Sequence, residues 1–175
     1  MRIVLIILMV FALASTANAE QFVSKYLSSK PIILIKDKHA QAKAWATCAE
    51  IYDALGNFYA AANKAPETVK QLRNMANGAE VAVAMTFVSR MLAESDISPS
   101  TIRFNATWTM AKMAMKEIPS AVQTTINAAL ERNGAAEMDE TIKAGGICTQ
   151  NVEDQQTMIN LWRELAASGL LKFPK

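Results

Sequence analysis

The chain has 175 residues, 51% hydrophobic and 19% charged, with 18 Lys and Arg against 16 Asp and Glu and a single histidine. That is enough chain to bury one core. The near-balanced charge lacks the basic footprint of a nucleic-acid binder, and one histidine excludes a multi-histidine zinc centre.

Residues 1–19 read as a signal peptide: Arg2, an apolar run over 3–14, then Ser15-Thr16-Ala17-Asn18-Ala19 with small residues where a signal peptidase cuts. The apolar run is shorter than the roughly 20 residues of a spanning helix, which disfavours an uncleaved anchor. Cleavage after Ala19 leaves 17 basic against 16 acidic residues, because Arg2 is the only charge lost. A periplasmic or secreted location follows, with no transmembrane segment after cleavage. In an oxidising compartment two cysteines pair, so Cys48 and Cys148 are expected to form a disulfide. With about 100 residues between them, the chain-entropy model gives such a link about 4.7 kcal/mol.

Residues 20–37 form an N-terminal arm. Phe22, Val23, Tyr26 and Leu27 suit a short helix that stops before Pro31. Ile32, Ile33, Leu34 and Ile35 make an apolar run, either strand-like or laid over the rest. The remainder, 38–175, reads as one helical domain. Asp37 is placed to cap a helix over 38–62, with His39 in its first turn as a solvated residue. Trp45, Cys48, Tyr52, Leu55, Tyr59 and Ala62 recur at alternating three and four, and Lys43, Glu50, Asn57 and Lys64 fall on the far side. The pair Glu50 and Asp53 has the residue types for acid-base work, but the polar position of Glu50 favours plain solvation.

Pro66 and Glu67 start the next helix. From Ala79 onward it is apolar almost all round, and Gly78 marks either a break or a close approach. Val81, Met85, Val88 and Leu92 are therefore candidate partner-binding residues if that helix is not central. Ser98-Pro99 caps a third helix to about residue 118, with Phe104, Trp108, Ala111, Met115 and Ile118 inward. Met110, Met113 and Met115 could offer thioethers to copper(I), but methionine more often fills core gaps. Asn105-Ala106-Thr107 matches a glycosylation acceptor pattern placed mid-helix. Pro119 opens a fourth helix that turns Val122, Ile126, Ala129 and Leu130 inward and closes at Asn133-Gly134. A last helix starts near Gly145-Gly146 and carries Cys148, Val152, Gln155, Ile159, Trp162 and Ala166, ending at Ser168-Gly169.

The fold expected is an all-α bundle of four to five helices with its first and last long helices tied by Cys48 and Cys148. No nucleophile motif, phosphate loop or dinucleotide fingerprint accompanies it, so the chain reads as no enzyme and no cofactor is implied. Two functions remain. One is a non-catalytic exported protein that binds a protein partner through the segment at Val81 to Leu92 and through Leu170, Leu171 and Phe173 in the tail. The other is a carrier of a small ligand or metal, its pocket lined by Trp45, Tyr52, Tyr59, Trp108, Gln155 and Trp162.

Overall fold

The computed structural model describes residues 27, 31–63, 65–93 and 101–170. These form a 3-10 turn at Ile32–Leu34 and four α-helices: α1 at Lys38–Ala61, α2 at Pro66–Ala93, α3 at Thr101–Thr149 and α4 at Val152–Ala167. Among the described residues every regular element is helical, and a disulfide joins Cys48 to Cys148 with their Cα atoms 5.5 Å apart. The expected leader over 1–19, Phe22, Val23 and Tyr26 of the expected short helix, the Ser98-Pro99 cap, and tail residues Leu171 and Phe173 lie outside the described residues, while Leu27 is buried and not helical.

Local chemistry sets several helix ends where the sequence puts them. The Asp37 carboxylate accepts the Ala40 N–H at 2.6 Å, which satisfies an orphan donor of the first turn of α1. Asn63 follows the last turn of α1 in the left-handed region, φ 50°, which asparagine tolerates. Pro66 opens α2 with Glu67 in its first turn, and Gly169, φ +75°, closes α4.

Helix α1 is central. It packs on α2, on α3 and under the 3-10 turn, so from Gln41 to Tyr52 only Lys43 reaches solvent freely. Beyond Gly56 the cover ends, and Phe58 and Tyr59 are exposed, edge-on to one another with ring centroids 5.8 Å apart. The apolar seam expected to run on through Tyr59 and Ala62 thus stops a turn and a half early. Helix α2 is the second hub, because it also carries α4. Gly78 does not interrupt α2. A Cβ there would run into the side-chain amide of Gln155 and come within 3.0 Å of Ile159, so the glycine lets α4 lie close. Gly145 does the same for α3 on α1, since a Cβ would sit 3.0 Å from Leu55 one turn before the disulfide.

The helix boundaries expected at Pro119, at Asn133-Gly134 and at Gly145-Gly146 are all absent. Helical backbone runs unbroken from Thr101 to Thr149, through Pro119 and Gly134, and Gly134 has no positive φ. Cys148 accordingly ends α3 and does not share a helix with Val152. Helix α4 starts afresh after Gln150 and Asn151 and lies mainly on α2.

A straight helix of 49 residues would be about 73 Å long. Cys148 meets Cys48, and Gly145 meets Ile51 and Leu55, so the end of α3 runs antiparallel to α1. A straight α3 would carry Thr101 far past the C-terminal end of α1. Ala93, however, lies towards the opposite end, because His39 stacks edge-on against Phe87 and Gly56 meets Leu72. Residues 94–100 bridge at most about 29 Å. The α3 run therefore bends back, and Pro119, which removes the N–H that would bond the Met115 carbonyl, supplies one cause. Ala111 and Val122 are buried in the common core as a result, with Trp108, Met115 and Ile118 packed beside them.

Candidate functional site

The residues expected to line a pocket separate once folded. Trp45 and Tyr52 lie fully buried on the face of α1 that carries Cys48, Trp108 and Trp162 are half-buried, and Tyr59 is exposed. Gln155 is buried, and its amide donates to the Met75 carbonyl at 3.0 Å rather than to Tyr52 or Tyr59. None of the six lines the surface groove of about 310 Å³ bounded by Ala60, Asn63, Pro66, Val69 and Arg73. The ladder is core first. Among the described residues two of its buried polar atoms nonetheless have no partner: Trp45 Nε1 and Gln155 Oε1. The Tyr52 hydroxyl bonds to the Thr149 side chain, whose own proton goes to the Gly145 carbonyl at 2.8 Å. Burial pushes the Tyr52 phenol up to about 12.

The candidate partner surface on α2 also turns inward. Met85 and Val88 are fully buried and Val81 is partly buried against the core, because α2 sits between α1, α3 and α4. Leu170 packs on the core as well, and the Leu92 side chain is outside the described residues. Large apolar side chains emerge instead on α3. Met110 is 64% exposed and Met113 is 55% exposed, three residues apart and hence on one face, with Lys112 and Lys116 exposed nearby. Met110 and Met113 therefore fill no gap in the core. Met115 does pack on the core. Asn105 is exposed.

The 3-10 turn is clasped by a buried polar network that the sequence reading did not anticipate. Asn151 Oδ1 accepts the Ile32 N–H at 2.7 Å while its Nδ2 donates to the Ile147 carbonyl at 2.9 Å. Gln41 Nε2 donates to the Ile32 carbonyl at 3.0 Å. The arm thus lies over the bundle as a turn, with Ile32 buried, and Asn151 serves it instead of capping α4.

The other departure is Glu50. The heptad pattern puts it on the polar side of α1, yet it is 8% exposed because α2 covers that side. Asp53 lies one turn on, and Glu80 approaches from α2. Burial first, then the charges of Asp53 and Glu80, push the Glu50 carboxyl up to about 7. Burial also raises Asp53, opposed by Arg73, and raises Glu80, reinforced by Asp53. The described residues contain no group of three or more His, Cys, Asp or Glu able to hold a metal ion. Both cysteines are consumed by the disulfide.

Compared with protein-family models, curated proteins and solved structures, the chain matches none. Any functional reading therefore rests on the geometry alone. No described helix is long and apolar enough to cross a membrane.

Proposed function

We propose that this is an exported, non-catalytic helical protein that acts by binding a protein partner in the periplasm or outside the cell. The carrying observation is the outward pair Met110 and Met113 on α3, flanked by Lys112 and Lys116. Methionine side chains adapt to irregular partner surfaces, and large apolar groups held in water favour association. The leader-like residues 1–19 and the Cys48–Cys148 disulfide support the exported part of the reading.

A photo-crosslinking amino acid at position 113, compared with one at exposed Glu153 on α4, tests the surface in the native compartment. A discrete adduct from position 113 that Met110→Glu abolishes is expected. Equal, unspecific labelling from both positions refutes this face. An intact mass matching a chain that begins at Glu20 tests export separately.

The unpartnered Trp45 Nε1 and Gln155 Oε1 favour a second reading, a carrier of a small polar ligand between the helices. Native mass spectrometry of undenatured protein decides it. A bound small mass is required, and a clean apo mass removes the carrier.

A further inference from the structure

Glu50 occupies the middle of α1, and no hydrogen bond or ion pair reaches its carboxylate among the described residues. The charged groups that act on it are Asp53 on its own helix and Glu80 on α2; Arg73 of α2 acts on Asp53. Among the described residues no charged group of α3 or of the 3-10 turn acts on Glu50. Three carboxyls thus share one helix–helix seam with a single guanidinium beside one of them. Two residues away, the disulfide through Cys48 fixes α1 to α3, so any loosening at Glu50 falls on the α2 side.

We propose that the α1–α2 seam is a proton-operated clamp: with Glu50 protonated the two helices close on one another, and ionisation of Glu50 works them apart. A neutral carboxyl between packed helices costs far less than an unpaired carboxylate, which must be rehydrated or repelled by Asp53 and Glu80. A folded-state pKa raised from 4.5 to about 7 means that the native chain holds a proton the unfolded chain has lost. Stability therefore falls as pH rises between those values, and it levels off above about 7. For Glu50 alone the linkage predicts that the folded-to-unfolded ratio drops about 70-fold from pH 5 to pH 8. Asp53 and Glu80 are shifted in the same sense.

The test is chemical denaturation of the disulfide-intact mature chain at pH 5 and pH 8, with hydrogen exchange at residues 49–56 and 72–80 corrected for intrinsic rates. The wild type should lose the predicted ratio and exchange faster across that seam at pH 8, while residues 141–149 change less. Glu50→Gln should lose most of this dependence and keep only the part that Asp53 and Glu80 contribute. A wild type whose stability is flat over this range, or a Glu50→Gln variant that keeps the full pH slope, overturns the clamp. Should that variant not fold, the Glu50 carboxyl carbon resonance of the wild type decides. Titration near neutrality supports the clamp, and titration in the ordinary carboxylate range overturns it.

Discussion

Gly78→Ala sets two effects of opposite sign against each other. In a free helix the substitution favours folding by about 1 kcal/mol, because glycine loses the most backbone freedom on becoming helical. Inside this bundle the new Cβ would occupy the space of the Gln155 amide and press on Ile159 at 3.0 Å. Gln155 must then swing away from Met75, breaking a part-buried 3.0 Å hydrogen bond, and its amide already has one unpartnered oxygen. Stranding a buried donor costs about 1–3 kcal/mol, and overpacking adds about 1–3 kcal/mol. The loss exceeds the helix gain, and a net destabilisation of about 1–5 kcal/mol is expected. For a chain of this size that corresponds to a fall in Tm of roughly 2–20 °C. Adding Gln155→Ala removes the obstacle, so the double variant should recover much of the loss against Gln155→Ala alone. Calorimetry or urea denaturation of the four proteins completes the cycle. A Gly78→Ala protein more stable than wild type, or strictly additive variants, would refute the close approach of α4 to α2.

Ala65 adopts φ 49° immediately before Pro66, a region that suits glycine and strains alanine. Ala65→Gly should raise stability by about 0.5–1 kcal/mol in urea denaturation, net of the freedom that glycine adds to the unfolded chain. Asn151→Ala should leave the Ile32 N–H buried without an acceptor, costing about 1–3 kcal/mol and opening residues 31–37 to limited proteolysis; an unchanged digest counts against the clasp. Changing both Cys48 and Cys148 to Ala should cost about 2–5 kcal/mol, with the variant and the reduced wild type melting at similar temperatures.

Much of this architecture is legible in the sequence because it depends on local chemistry. Asp37, Pro66 and Gly169 act within a turn of their own positions, and the Cys48–Cys148 pairing is forced by having two cysteines. What escaped depends on which sides of a helix are covered. A heptad pattern marks one buried stripe, but α1 has neighbours on several sides, so Glu50 is buried although its position and type are polar. The same packing draws Met85 and Val88 into the core and leaves Met110 outside. Pro119 and Gly134 look like helix ends, yet helical bonding resumes past both, and the bend that chain length demands is invisible to residue preference. Asn151 resembles an N-cap, but its partner Ile32 lies 119 residues away, beyond any local pattern.

The disulfide has a mechanical consequence. It joins a residue in the third turn of the first long helix to one just before the last, across a sequence separation of 100. Tension applied between the two ends of the domain would pass from Cys48 straight to Cys148. The enclosed segment, about 350 Å of contour, would bear none of it while the bond is intact. Helix α2 and nearly all of α3 are therefore shielded from stretching, and a reductant alone would release that slack.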